Sequence, residues 1–233
     1  MEEKRRLRRS VYYPIALSLF LWLIKAIELL FSLDFTDFGI LPRTLTGSKG
    51  ILFSGFIHGD ILHLMSNTVP LVLLGATILY FYDKLGPRIL LGLYLSTGLV
   101  VWVFARPAYH IGASGLVYGM LSFLFVGGFI RRDRQSLAIS LVILVLYGGS
   151  MFSGLFPAHP HVSWESHLIG FILGVIAAIY FRKISMKTEN DKLQLEHEPQ
   201  KDMMNNMDYT IQEPKNSDTL FVYHYKQKVD KPD

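Results

Sequence analysis

Hydrophobic positions along this chain gather into six long runs, and short polar connectors separate them. A helix needs roughly 17 to 25 mostly apolar residues to cross the hydrocarbon core of a bilayer. The runs are close to that length, so the pattern predicts membrane-spanning helices at 11–32, 61–82, 88–106, 113–130, 137–156 and 165–181. The expected fold class is an all-α, polytopic membrane protein whose six transmembrane helices form one bundle.

Polar segments divide the chain further. Residues 1–10 form a basic N-terminus, residues 11–182 hold the six-span domain, and residues 183–233 form a polar tail that we expect to be largely disordered. Within the tail, TLFVYHY at 219–225 predicts a short strand or a partner-binding patch. The connector at 33–60 contains GILFSGFIHGD, which is too short to span and apolar enough to lie at the membrane interface as a half-buried loop or helix.

Basic residues of the connectors fall mainly on one side of the predicted bundle. Thirteen Lys and Arg lie in the N-terminus and after the second, fourth and sixth runs, against three in the opposite connectors, Arg43, Lys49 and Arg106. Because basic connectors favour the cytoplasmic face, both termini are expected in the cytoplasm of a multi-pass cell-membrane protein. The net charge is +4, but no basic stripe is interleaved with aromatic residues, so we expect no nucleic-acid partner.

Composition and spacing also narrow the chemistry. The chain has no cysteine, which excludes disulfides, thiolate metal sites and a cysteine nucleophile. His58 and His63 are five residues apart, which suits one helix face poorly, and no HExxH motif is present. We therefore expect neither a metal nor another cofactor.

Four polar residues stand inside the predicted spans at one depth. His63 and Asn67 lie near the start of the second span, Ser114 near the start of the fourth and His167 near the start of the sixth. These spans all run from outside to inside in the predicted orientation, so the four residues share the outer part of the bilayer. Polar groups are expensive there and often mark function.

Helical spacing brings these residues onto shared faces. Residues four apart lie on one side of a helix, which groups His63 with Asn67 and Ser114 with Tyr118. In the sixth span, His167 shares its side with two glycines, and the fourth span offers two more; these are Gly115, Gly119, Gly170 and Gly174. Small residues let two backbones approach closely, which would bring an imidazole within reach of a serine hydroxyl.

The resulting group of side chains suits acyl transfer. A neutral imidazole at His167 can take the proton of Ser114 and return it to a leaving amine. Ser114 begins a helix, whose free N–H groups favour an oxyanion, and His63 and Asn67 can add donors. Tyr118 can hold the imidazole of His167 by stacking on it. Gly112 gives the backbone conformational freedom beside the forming oxyanion.

No carboxylate is positioned to complete a triad. Glu165 precedes His167 by two residues and faces elsewhere, and Asp60 lies at the mouth of another helix. The sequence therefore predicts a serine–histidine dyad.

Three motifs carry a family resemblance. GASGLVYG at 112–119, HLMSN at 63–67 and SHLIGFILG at 166–174 resemble the motifs of rhomboid intramembrane serine proteases, in the expected order on spans two, four and six. The resemblance covers roughly residues 11–182. It implies that Ser114 is the nucleophile, His167 the general base, and His63 and Asn67 part of the oxyanion hole.

The same resemblance implies a substrate class. Single-span membrane proteins would be cleaved near the outer face of the bilayer, with water reaching the site from that side. Two departures stand out: Ser166 replaces the alanine that often precedes the histidine, and the outer connector lacks a Trp-Arg pair found in many members. The second departure leaves the details of substrate gating open.

Other interpretations of these residues remain. Ser114 alone is more typical of a packing residue, and His167 alone of a hydrogen-bonded interior group. The chain could be a catalytically silent membrane protein of the same fold that binds or escorts other membrane proteins, or a transporter with a proton relay. Against the relay, the polar residues stop in the outer half of the bilayer.

Several further side chains receive structural assignments. Lys25 and Glu28 are three apart in the first span and predict an intrahelical ion pair. His58 is expected to brace the outer connector through a hydrogen bond. Three histidines of the outer loops are expected to be solvated, namely His110, His159 and His161.

Overall fold

The computed structural model describes residues 2–157, 163–184, 207–211 and 223–227. Within these residues the helices are α1 (Glu2–Phe31), α2 (Gly50–Phe53), α3 (Ile61–Tyr82), α4 (Gly86–Phe104), α5 (Ser114–Arg131), α6 (Arg134–Ser153) and α7 (Trp164–Tyr180). The strands are β1 (Met207–Ile211) and β2 (Tyr223–Gln227). Helices α1 and α3 to α7 correspond in order to the six predicted runs, which confirms the helical bundle.

The described helices differ in length and apolar character. Three segments are long and apolar enough to cross a membrane: Glu3–Phe31, Ile61–Phe104 and Ser114–Arg131. Ile61–Phe104 contains both α3 and α4, which are joined by the short 3-10 turn Asp83–Leu85. The apolar segments of α6 and α7 are shorter, at Arg134–Gly149 and Trp164–Tyr180.

Helix α1 begins well before the predicted span, at Glu2 instead of residue 11. Its basic first turns are helical because Lys, Arg and Glu are good helix formers. They also contact the far end of α3, where the Tyr80 hydroxyl donates to Glu3 Oε1 at 3.0 Å and the Arg6 guanidinium lies 4.5 Å from the Tyr80 ring centroid. The base of α1 is thereby fixed to the bundle.

Helix α5 lies at the centre of the bundle. It contacts α3, α4, α6 and α7, and its Met120, Phe123 and Leu124 are almost fully buried. Helices α1 and α6 are peripheral and expose large apolar side chains such as Leu30 and Val145. Water would not favour such faces, whereas the hydrocarbon of a bilayer does.

The connector at 33–60 is held on α4. Its amphipathic part forms a 3-10 turn at Thr46–Lys49, then α2, then a 3-10 turn at Ser54–Phe56. The Tyr94 hydroxyl donates to Leu52 O at 2.7 Å, and Arg43 Nη1 donates to Ala105 O at 2.7 Å beyond the end of α4. These bonds hold the connector against α4, and of the loop or helix that the sequence left open, the structure shows a short helix between two 3-10 turns.

The two strands of the tail pair antiparallel, with Met207 opposite Gln227 and Ile211 opposite Tyr223. The predicted strand at 219–225 overlaps β2 at its end, whereas β1 was not predicted because its alternation is short and partly polar. Most of the tail that we expected to be disordered lies outside the described residues.

Candidate active site

Ser114 is the first residue of α5 and is 8% exposed. The turn before it contains Gly112, whose φ of +105° is rarely adopted by residues with a side chain. A Cβ built at Gly112 would lie 2.7 Å from His63 Cε1 and Nε2. Only glycine therefore lets this turn adopt its path while the imidazole of His63 lies directly against it.

The neighbours of Ser114 and His167 touch. A Cβ built at Gly115 would lie 3.3 Å from Ser166 O, and one built at Gly170 would overlap the Gly115 carbonyl oxygen. Since Gly115 follows Ser114 and Ser166 precedes His167, the N-terminal ends of α5 and α7 meet at the level of both candidate catalytic residues.

This close approach continues deeper into the bundle. A Cβ at Gly119 would lie 3.3 Å from Gly170 O, and one at Gly174 would overlap Gly119 O. One turn further in, Ser122 Oγ donates to Phe171 O at 2.8 Å. The glycine spacing thus produces the backbone-to-backbone packing that it predicts.

The imidazole of His167 is held on two sides. It stacks on the Tyr118 ring with centroids 4.2 Å apart and an interplanar angle of 7°. Its Nδ1 lies 2.9 Å from Gly154 O, in the turn after α6. Because a carbonyl only accepts, the neutral ring carries its proton on Nδ1, which leaves Nε2 as the basic nitrogen.

His63 and Asn67 lie in the first two turns of α3. The helix is capped by Asp60, whose Oδ1 accepts from the His63 N–H at 2.7 Å. Asn67 is 3% exposed and its Nδ2 donates to His63 O at 3.0 Å. An amide nitrogen carries two protons, so the second can donate to a substrate oxygen.

His58 links the connector to the turn before Ser114. Its side chain is buried, its Nε2 accepts from the Ala113 N–H at 3.4 Å, and its ring meets the His63 ring edge-on with centroids 5.0 Å apart. Burial lowers the pKa of His58 to about 4, and the nearby His63 acts in the same direction. The imidazole therefore stays neutral and keeps its acceptor. The predicted hydrogen bond is present.

Lys25 of α1 binds the end of the connector, at the residues directly before α3. The predicted ion pair is confirmed, with Lys25 Nζ 3.0 Å from Glu28 Oε2 and both residues buried. The ammonium also donates to His58 O at 2.8 Å and Gly59 O at 3.1 Å. Three acceptors thus surround a buried charge directly before α3.

The expectation for His110 is wrong. Its side chain is 2% exposed and lies within hydrogen-bond distance of Ser163 Oγ and Arg106 O, so it is not solvated. Burial lowers the pKa of His110. Glu165 pairs with Arg106 at 3.4 Å, while His159 and His161 lie outside the described residues.

Residues 48–184 match a family model described as the Rhomboid domain. The chain belongs to the Rhomboid family. An uncharacterized protein of Mycobacterium tuberculosis is 34% identical over 167 residues, covering 68% of this chain and 69% of the relative. An uncharacterized protein of Mycobacterium leprae is 32% identical over 199 residues, covering 80% and 78%. RHOMBOID-like protein 4 of Arabidopsis thaliana is 26% identical over 153 residues, covering 58% and 35%.

Family membership and the apolar helices make this Rhomboid protein a multi-pass membrane protein. Among its described residues, no group of three or more His, Asp and Glu could hold a metal ion. Sequence reasoning missed the Gly154 carbonyl, because a backbone acceptor leaves no signal in side-chain chemistry. It also missed the burial of His110, because no pattern in the neighbouring sequence indicates the backbone bridge between His110 and Ile40.

Proposed function

We propose that this Rhomboid family member is an intramembrane serine endopeptidase that cleaves single-span membrane proteins near the outer face of the bilayer. The observation that carries the proposal is the contact between Gly115 and Ser166, the immediate neighbours of Ser114 and His167. It is supported by the stacked, hydrogen-bonded imidazole, since a catalytic base must be held in one orientation.

In the first step, Ser114 Oγ attacks the carbonyl carbon of the scissile peptide while His167 Nε2 takes the hydroxyl proton. The bond from His167 Nδ1–H to Gly154 O keeps Nε2 deprotonated before attack. A carbonyl dipole thus does part of what a carboxylate does in a triad: it fixes the tautomer and the ring orientation.

The tetrahedral oxygen is stabilised by donors from two helices. These donors are the N–H groups at the start of α5, the His63 imidazole, which lies against the turn at Gly112, and the second proton of Asn67 Nδ2. Collapse breaks the carbon–nitrogen bond, and His167 gives its proton to the leaving amine. A water molecule then attacks the acyl-serine, with His167 again as base, and regenerates the Ser114 hydroxyl.

The orientation follows from charge. With the basic connectors in the cytoplasm, both termini are cytoplasmic and the Ser114 end of α5 faces outward. Substrates reach the site from the surrounding bilayer, so they are transmembrane segments, and water enters from the outer side.

The test is cleavage of a transmembrane reporter by purified protein in lipid vesicles. Ser114→Ala and His167→Ala each abolish cleavage without changing the thermal unfolding of the protein. Ser96→Ala, which removes a hydroxyl bonded only within α4, leaves cleavage unchanged. Full activity of Ser114→Ala would contradict the mechanism. Reporter binding without cleavage by the unmodified protein would favour the catalytically silent alternative.

A further inference from the structure

A buried polar junction lies outside the residues that the proposed mechanism uses. His110, four residues before Ser114, joins the outer connector by two backbone bonds: its N–H donates to Ile40 O and its carbonyl accepts from the Ile40 N–H, each at 2.9 Å. The imidazole points away from this bridge toward the start of α7. Three segments therefore meet at one histidine.

The two ring nitrogens of His110 have different hydrogen-bond roles, one as donor and one as acceptor. Nε2 lies 3.0 Å from Arg106 O, so it carries the proton of the neutral ring. Nδ1 is then an acceptor, and the Ser163 hydroxyl donates a hydrogen bond to it at 2.5 Å. With its own proton used, Ser163 Oγ accepts from the Ser166 hydroxyl at 2.7 Å.

Ser163 occupies the N-cap position of α7 but makes no side-chain capping bond. A serine there normally accepts from an N–H of the first turn, worth about 1 kcal/mol of helix stability. Here the hydroxyl binds His110 and Ser166 instead. The Ser163 hydroxyl therefore does not cap α7 but joins α7 to His110 in the loop before α5.

The same serine reaches the candidate base through its backbone. Its carbonyl accepts from the His167 N–H at 3.3 Å, which makes Ser163 the link between His110 and His167. A second link runs in parallel, from Arg106 Nε to Glu165 Oε1 at 3.4 Å. The first turn of α7 is thus bonded at two points to the loop between α4 and α5, which ends at Ser114.

We propose that His110 is a positioning residue of the proposed reaction: through Ser163 it fixes the first turn of α7, and so His167, relative to the turn that presents Ser114. This inference rests on the proposed function. The glycine contacts set how closely α5 and α7 approach. The hydrogen-bonded group of His110, Ser163 and Ser166, called the His110 latch, sets the position of the first turn of α7.

The first measurement is kinetic and uses the full chain with the transmembrane reporter. His110→Ala and Ser163→Ala each lower kcat about 10- to 100-fold, because small displacements of a catalytic group are that costly, while KM changes less than about threefold. The double variant is no slower than either single variant, since both changes break one bond. His110→Asn, whose Oδ1 is bonded to Cγ as Nδ1 is, recovers most of the rate.

The second measurement does not depend on proteolysis. Amide hydrogen exchange at the start of α7 increases about tenfold in His110→Ala and Ser163→Ala, also in a Ser114→Ala background, and stays unchanged in Ser96→Ala. Unchanged exchange overturns the latch. Faster exchange with unchanged kcat overturns the positioning role, as do multiplicative effects in the double variant. If the unmodified protein cleaves nothing, the proposed function and the positioning role both fail, while exchange still reports the latch.

Discussion

Helix α5 meets its two partners in the candidate site through opposite kinds of contact. Toward α7, backbone packs closely against backbone at Gly115, Gly119 and Gly170, where no side chain separates the two helices. Toward α3 and the connector before it, buried polar groups meet the turn that precedes α5: His63 of α3 lies on Gly112, and His58 of the connector accepts from the Ala113 N–H. The position of α7 against α5 thus depends on steric fit at the glycines, whereas the contact on the α3 side depends on polar side chains.

The difference assigns different sensitivities to the two halves of the proposed mechanism. The glycine contacts themselves contain no titratable group, so they are intolerant of added volume and should not change with pH. The oxyanion side depends on a buried ammonium and a neutral imidazole, so it responds to charge and to acid. Three changes separate these sensitivities.

The largest effect is expected at Gly170. Gly170→Leu forces a side chain into the Gly115 carbonyl and should cost more than about 3 kcal/mol, enough to prevent correct packing of α7. The matched control is Gly92→Leu on α4, where a Cβ meets nothing within 4 Å. Unfolding in mild detergent, followed by circular dichroism, checks both. Equal stability of the two variants would mean that the glycine contact does not hold the helices together.

An intermediate effect is expected at Lys25. Lys25→Met removes three hydrogen bonds and leaves the buried Glu28 carboxylate with the Phe35 N–H as its remaining hydrogen-bond partner among the described residues, which should cost about 3 kcal/mol. Adding Glu28→Gln keeps an acceptor for Phe35 and removes the unpaired charge, so the double variant should regain about half of the loss. The same unfolding measurement applies. If the double variant is no more stable than Lys25→Met, charge is not the cause.

Much of the bundle could be predicted because each signal was local. Run length gave the helices, and the spacing of Gly170 and Gly174 from His167 gave the face that packs on α5. The stacking of Tyr118 on His167 followed from the same faces, since both residues lie near the N-terminal ends of their helices.

What could not be predicted depends on the path of the connectors. His110 was assigned to solvent because loops normally run over the surface, and nothing in its neighbours indicated the bridge to Ile40 that buries it. The acceptor of His167 is a backbone carbonyl at Gly154, which any residue type could supply. Likewise, Lys25 was assigned a partner on its own helix, whereas its carbonyl acceptors are over thirty residues away.

The smallest effect is expected from mild acid, and it should fall on the α3 side. The pKa of His58 is about 4 in the fold and near 6.5 in the unfolded chain, so between these values the unfolded state binds the extra proton. The free energy of unfolding therefore decreases as the pH falls, by about 1 kcal/mol from this residue at pH 5.5. His58→Gln keeps an acceptor for Ala113 and does not titrate, so its unfolding free energy should decrease less between pH 7.5 and 5.5. His110 titrates in both proteins and cancels in the difference. An identical pH dependence would show that His58 is not held neutral, and that the contact with Ala113 does not depend on its charge.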